Sequence, residues 1–139
     1  GILLLFFAKT RKAGVTALLA LLLGALVTNL LLKNLVARPR PYDMIAGLTP
    51  LVKKLKDYSF PSGHTCASFA AAVVYWKMLP KVWGRVGVLL AFLIAFSRLY
   101  VGVHYPTDVL AGGIIGGLMG LLAVYIIKHI PSTANTFLP

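Results

Sequence analysis

The chain has 139 residues, of which 59% are hydrophobic and 12% charged, a composition that excludes an ordinary soluble domain and is typical of integral membrane proteins. Its 14 Lys and Arg residues outnumber 3 acidic residues, but they lie in short clusters between apolar runs, which favours membrane lipids over nucleic acid as partners. With no Glu and only three Asp, the chain has too few carboxylates for a two-metal phosphatase site or a carboxylate dyad, and we expect no metal or other cofactor.

Four largely apolar stretches are long enough to cross the ~30 Å of hydrocarbon in a bilayer, which takes ~20 residues. We predict spans at 13–36, 61–79, 84–103 and 106–130. Residues 1–8 resemble the tail of a further span. Residues 42–60 form an interfacial loop, in which Pro50 can start a short amphipathic helix. The sequence thus predicts an all-α transmembrane helical bundle that forms a single domain over 1–139.

The loop charges predict an orientation for these spans. Seven basic residues fall on one side of the membrane, and the positive-inside rule makes that side cytoplasmic: Lys9, Arg11, Lys12, Lys77, Lys81, Arg85 and Lys128. The opposite side holds Arg38 and the lysines of 53–56. In the last span, a stripe formed by Gly112, Gly116 and Gly120 indicates close helix packing.

Unusual polar residues meet at a single membrane surface if consecutive spans are antiparallel. Span one ends, span two begins, span three ends and span four begins at that surface. The polar residues at these points are Lys33, Arg40, Ser62, Gly63, His64, Ser97, Arg98, His104 and Asp108. A single cation near a span end can simply extend its charge to the interface. The convergence of three cations, two imidazoles and one carboxylate favours a functional site on the non-cytoplasmic face.

The side chains at this surface suit a phosphate group. Three cations match an oxyanion of two or three negative charges, and the free N–H groups at the helix start in "PSGH" can cradle its oxygens. Asp108 lies four residues after His104 and can reach back to its imidazole, which makes the other ring nitrogen a better nucleophile. The alternative interpretation of Asp108 is an acidic residue at a helix start, where the helix dipole favours a negative charge. His64 is left to protonate the leaving oxygen.

Three motifs carry a resemblance to a known family. They are K-x6-R-P at Lys33 to Pro41, P-S-G-H at Pro61 to His64, and S-R-x5-H-x3-D from Ser97 to Asp108. The chain resembles the type 2 phosphatidic acid phosphatase family, membrane lipid phosphatases that share a helical core with vanadium haloperoxidases and glucose-6-phosphatase. The similarity covers about 13–130. Because such members usually have six spans, the resemblance implies that one or more N-terminal spans are missing here.

The resemblance implies a role for each residue of the motifs. His104 attacks phosphorus to form a phosphohistidine, Asp108 supports it, and His64 protonates the leaving group. The phosphate is held by Lys33, Arg40, Ser62, Gly63 and Arg98, with Ser97 a further member of the motif.

The motifs recognise the phosphate and not the lipid tail, so the substrate stays open. A polyprenyl diphosphate such as undecaprenyl diphosphate is the first expectation, in the plasma (inner) membrane, with phosphatidylglycerophosphate or phosphatidic acid as alternatives. Two hypotheses of another class are an intramembrane serine protease that uses Ser62 and a non-catalytic anion-binding membrane module. A rhomboid-like protease would have G-x-S-G, whereas position 60 is Phe. The sequence does not indicate an oligomeric state.

Overall fold

The structure, a computed structural model, describes residues 2–130, and within that range all regular secondary structure is helical. The elements in chain order are a 3-10 helix (Ile2–Phe6), α1 (Ala8–Ala25), a π-helix (Leu26–Leu32), α2 (Lys33–Val36), α3 (Pro41–Met44), α4 (Gly63–Met78), α5 (Lys81–Tyr100) and α6 (Pro106–His129). The all-α prediction is therefore confirmed.

The first long helix is continuous from α1 through the π-helix into α2, and its end turns the chain sharply. A π-helix has i→i+5 hydrogen bonds; such helices are rare overall, but many of those known lie near functional sites. In this chain the π-helix ends immediately before Lys33. Ala37 follows α2 with φ of +47°, a left-handed conformation that caps helices, and its N–H donates to the Lys33 carbonyl at 2.9 Å. This turn directs residues 38–40 back over the end of the bundle.

Helix α4 lies at the centre of the bundle, where it packs against α1, α5 and α6. The predicted glycine stripe of α6 faces it. A Cβ atom at Gly116 would lie 2.2 Å from the Cys66 carbonyl oxygen, and one at Gly112 would lie 2.5 Å from that of Ser62. Only glycine allows the two backbones to come this close. Cys66 itself is buried between the helices, as expected of a small packed residue.

Within the described part of the chain, three helical stretches are long and apolar enough to cross a membrane: Ala8–Met44, which is interrupted at 37–40, Lys81–Tyr100 and Pro106–His129. Many large apolar side chains on the outer faces of the bundle are exposed, as expected for lipid-facing helices. Helix α4 has 16 residues, fewer than the ~20 of a typical span, so the crossing at 61–79 stays a prediction. Residues 2–6 form a separate 3-10 helix, and their assignment to a further span also stays a prediction.

The loop between α3 and α4 differs from the expected amphipathic helix at 50–57, and that prediction was wrong. These residues are non-helical because bonds to other segments hold their backbone. The Leu51 N–H donates to the Val101 carbonyl at 3.2 Å. The Tyr42 hydroxyl bonds to both the N–H and the carbonyl of Leu55, each at 3.0 Å. A helix would have to break these bonds.

Candidate active site

A cavity of about 390 Å³ lies at one end of the bundle, where the first long helix ends, α4 begins and the α5–α6 loop passes. Its lining includes five of the residues singled out in the sequence together with four others: Lys33, Arg40, Gly63, His64, His104, Asn29, Leu55, Asp57 and Ala67. Both imidazoles of the predicted site therefore face one cavity, next to two of the predicted phosphate-binding cations.

The two cations are buried and share one carboxylate partner, Asp57. The Lys33 ammonium contacts Asp57 Oδ2, and Arg40 Nη2 lies 2.7 Å from Asp57 Oδ1. Arg40 is held further by backbone carbonyls, since its Nε donates to Asp57 at 2.9 Å and its Nη1 to Val103 at 2.8 Å. The Asp57 side chain remains 52% exposed. The Asp57 carboxylate is thus paired with both cations at the edge of the cavity.

The charge state of Asp57 follows from these contacts. Partial burial acts to raise the pKa of Asp57, but hydrogen bonds from Lys33 and Arg40 outweigh burial, so the pKa lies below its ordinary value of 3.8. Asp57 is therefore ionised throughout the neutral pH range.

The start of α4 presents backbone N–H groups to the cavity, with one difference from expectation. The Ser62 N–H, expected to face a phosphate, donates instead to the Asp108 carbonyl at 3.0 Å. The Ser62 hydroxyl accepts from the Thr65 hydroxyl at 2.9 Å and caps the helix. Gly63 and His64 line the cavity, and their backbone N–H groups have no acceptor among residues 2–130. Unpaired N–H groups at the start of a helix are of the kind that can bind an anion.

His104 is positioned by the turn between α5 and α6. Helix α5 ends at Tyr100, and Gly102 follows it with a φ of +73°, the left-handed conformation that favours glycine. Pro106 then starts α6, which sets Asp108 in its first turn. The His104 Nδ1 atom lies 3.5 Å from Asp108 Oδ2, long for a hydrogen bond but in the orientation that leaves Nε2 for another partner.

The Asp108 carboxylate is fully buried and has several donors. Its Oδ2 accepts from the Ser59 hydroxyl at 2.5 Å and from the Tyr105 N–H at 2.9 Å. Its Oδ1 lies 2.8 Å from Arg38 Nη1. These contacts satisfy both oxygens of a buried charge, which would otherwise be costly.

Arg98 and Ser97 are not among the residues that line the cavity. The Arg98 Nε and Nη2 atoms each donate to the Ser97 hydroxyl at 3.1 Å, so Arg98 bonds to its neighbour and not to the group around Lys33. His129, at the far end of α6, is exposed.

Sequence reasoning missed three residues of the site: Arg38, Asp57 and Ser59. Arg38 counted as an ordinary loop charge, whereas it pairs with Asp108. The available signal for Asp57 was that it is one of only three acids in the chain; nothing in the pattern distinguished Ser59. Among residues 2–130, no group of three or more His, Cys, Asp or Glu side chains is placed to hold a metal ion.

Comparison with known proteins gives the family. The sequence profile of the PAP2 superfamily matches residues 13–131. This chain belongs to the PAP2 superfamily. Members of the PAP2 superfamily are phosphatases that hydrolyse lipid phosphate esters, and the family and its membrane helices make the chain an integral membrane protein.

Several PAP2 proteins are similar to this chain. The undecaprenyl-diphosphatase of Sulfolobus acidocaldarius is 38% identical over 124 residues, which are 89% of this chain and 60% of that protein. The crystal structure of Aquifex aeolicus LpxE superposes with a TM-score of 0.78 at 34% identity, over 88% of this chain and 74% of the other. The crystal structure of the PAP2-type phosphatidylglycerolphosphate phosphatase from Bacillus subtilis superposes with a TM-score of 0.73 at 31% identity, over 94% of this chain and 66% of the other.

Proposed function

We propose that this chain carries the active site of a metal-independent membrane phosphatase, which hydrolyses a lipid phosphate or diphosphate through a phosphohistidine intermediate. The observation that carries the proposal is the placement of His64 and His104 around one cavity with Lys33 and Arg40. The imidazoles supply a nucleophile and an acid, and the cations supply the positive charge that metal ions provide in other phosphatases.

The first step transfers the phosphoryl group to His104. The Nε2 atom attacks phosphorus, and the bond between phosphorus and the leaving oxygen breaks as the His64 imidazolium gives its proton to that oxygen. Asp108 accepts the hydrogen bond from Nδ1–H and stabilises the positive imidazole that forms. The equatorial oxygens of the phosphoryl group accept hydrogen bonds from Lys33, from Arg40 and from the free N–H groups at the start of α4.

The second step releases phosphate. A water molecule attacks phosphorus, its proton passes to His64, and the bond between phosphorus and Nε2 breaks. Inorganic phosphate leaves, while His64 has regained the proton that it gave to the leaving group and His104 has returned to its neutral form. Atoms and charges therefore balance over one turnover without any further reactant.

A polyprenyl diphosphate such as undecaprenyl diphosphate is the substrate we propose. The similarity to the Sulfolobus enzyme supports it, whereas the similarity to the Bacillus structure supports phosphatidylglycerophosphate as the alternative, with phosphatidic acid close to it. The site lies at the end of a bundle with apolar outer faces, so a lipid can present its head group while its tail stays in the bilayer.

The site is proposed to face the non-cytoplasmic side of the plasma membrane. The cavity residues Lys33 and His64 lie at one end of the first long helix and of α4, and the clusters at 9–12 and 77–85 lie at the other end of these helices. The positive-inside rule assigns the latter end to the cytoplasm.

One alternative hypothesis is disfavoured by a specific contact. In a serine protease, Ser62 would need an accessible hydroxyl next to a base. The Ser62 side chain is fully buried, and its hydroxyl accepts hydrogen bonds from the Thr65 hydroxyl and N–H. It acts as a helix cap.

Phosphate release from purified protein tests the proposed function. Undecaprenyl diphosphate, phosphatidylglycerophosphate and phosphatidic acid are supplied in detergent micelles with EDTA, to wild type, to His104→Ala and to the matched control His129→Ala. We expect wild type and the control to release phosphate. The rate of phosphate release by His104→Ala should be lower by at least ~10³-fold. Activity abolished by EDTA, or retained in His104→Ala, would contradict the proposal. A non-catalytic anion-binding module would bind phosphate in all three proteins and hydrolyse nothing.

A further inference from the structure

The two oxygens of the buried Asp108 carboxylate have different partners. Oδ2 lies toward His104 Nδ1, at 3.5 Å, and accepts from the Ser59 hydroxyl. The partner of Oδ1 is Arg38 Nη1 at 2.8 Å. If Asp108 supports His104 through one oxygen, the orientation of the carboxylate depends on what holds the other.

Arg38 is itself held in place by the first turn of α6. The same Nη1 donates to the Thr107 hydroxyl at 2.7 Å. The guanidinium carbon lies 3.8 Å from the centroid of the Tyr105 ring, a distance at which a cation is attracted to an aromatic face. Arg38 therefore contacts three residues of the segment that runs from Tyr105 to Asp108. A planar guanidinium suits this combination of stacking and hydrogen bonding, and an ammonium does not.

The backbone around Arg38 reinforces the same arrangement. The left-handed Ala37 brings the chain over the start of α6. The Arg38 carbonyl accepts the Ser59 N–H at 2.8 Å, and the Ser59 hydroxyl in turn donates to Asp108. The side chain and the main chain of Arg38 thus act on the carboxylate from two sides, directly at Oδ1 and through Ser59 at Oδ2.

We propose that Arg38 is a positioning residue of the phosphatase reaction, which holds Asp108 through the oxygen that His104 does not use. This inference rests on the proposed function of His104. Arg38 does not line the cavity, and so it acts on the carboxylate and not on the phosphate. Its side chain is 34% exposed, whereas that of Asp108 is fully buried, so the cation compensates a charge that water does not reach.

The experiment compares Arg38→Met, which removes the charge and keeps the length, with Arg38→Lys, which keeps the charge and loses the planar fork. We expect Arg38→Met to lower kcat roughly 10- to 100-fold, the range for loss of a charge-assisted hydrogen bond, with KM and the affinity for vanadate changed by less than about two-fold. Arg38→Lys restores part of kcat, because an ammonium can still reach Oδ1. Arg85→Met, at the opposite end of α5 on an exposed position, is the matched control and should resemble wild type.

The outcomes separate this inference from the proposed function. An inactive wild type, or an active His104→Ala, overturns the phosphohistidine proposal and this inference with it. If wild type is active and His104→Ala is not, a kcat of Arg38→Met within about two-fold of wild type overturns the positioning role alone. A rise in KM or weaker vanadate binding in Arg38→Met would mean that Arg38 binds the phosphate, and this result also overturns the positioning role. Equal losses in the Lys and Met variants, together with a lower thermal midpoint in both, indicate a purely structural role.

Discussion

Asp57 occupies both buried cations of the cavity, and its removal should strengthen phosphate binding. A phosphate that binds Lys33 and Arg40 has to displace the Asp57 carboxylate from them. In Asp57→Asn the negative charge is gone but the shape is kept. Arg40 should stay in place, since it also donates to the carbonyls of residue 57 and Val103. The cations are then free for phosphate without a competing anion.

The size of the effect follows from two ion pairs whose acidic partner is 52% exposed. Pairs with such exposure are screened by water and contribute up to ~1 kcal/mol each. Loss of both pairs should therefore favour phosphate by about 1–2 kcal/mol, which corresponds to roughly 5- to 30-fold tighter binding. The pKa of Asp57 lies below its ordinary value, so the carboxylate is ionised at any pH above its ordinary pKa. It is protonated, and its ion pairs with Lys33 and Arg40 are lost, only as the pH falls through the lowered pKa. Titration of Asp57 should therefore contribute no pH dependence to the gain in affinity between about pH 5 and 8.

Product inhibition measures this effect directly. The Ki of inorganic phosphate is determined for wild type, Asp57→Asn and Asp43→Asn, which removes the same charge from an exposed position on α3. We expect a lower Ki in Asp57→Asn and no comparable change in the control. A higher Ki in Asp57→Asn would refute the reasoning, because it would mean that Asp57 orients the cations for phosphate. Equal shifts in both variants would mean that only net charge matters.

The remaining predictions concern packing, the turn after α2 and the hold on Asp108. Gly116→Ala should lower stability by ~1–3 kcal/mol, because its methyl group would overlap the Cys66 carbonyl, while Gly117→Ala, with open space around its Cβ, should not; thermal unfolding in detergent compares the two. Ala37→Gly should raise the thermal midpoint slightly, since it relieves a left-handed conformation that costs ~1 kcal/mol; an unchanged or lower midpoint would contradict this. Ser59→Ala should lower kcat several-fold, in line with a hydrogen bond of ~1 kcal/mol to Asp108, with little effect on KM in the same phosphate-release assay.

The sequence predicted the helices and part of the site because apolar length and proline positions act locally. Helix α6 begins at Pro106 and ends at His129, against a predicted 106–130. The antiparallel order of spans was enough to bring Lys33, His64 and His104 to one cavity. The spacing from His104 to Asp108 likewise predicted that their side chains approach, since a helix start between them fixes the geometry.

The missed features depend on the path of the loops, which has no periodicity to read. Arg38 reaches Asp108 only because Ala37 takes a positive φ, which is unusual for a non-glycine residue. The amphipathic pattern at 50–57 was real, but hydrogen bonds to Tyr42 and Val101 outweighed its helical preference. The pairing of Arg98 with the adjacent Ser97 was equally invisible. Tertiary contacts decided each of these cases.

Capture of the phosphorylated enzyme tests the central claim most directly. His64→Ala lacks the group that accepts the proton of the attacking water, so the second step should slow, and p-nitrophenyl phosphate has a leaving group that needs little protonation in the first. The mixture is quenched in base, and the site of phosphorylation is located by mass spectrometry. We predict one phosphoryl group on the His104 imidazole, absent from the double variant that also carries His104→Ala. Turnover of this substrate with no phosphoryl group on His104, or with one on another residue, would contradict the account.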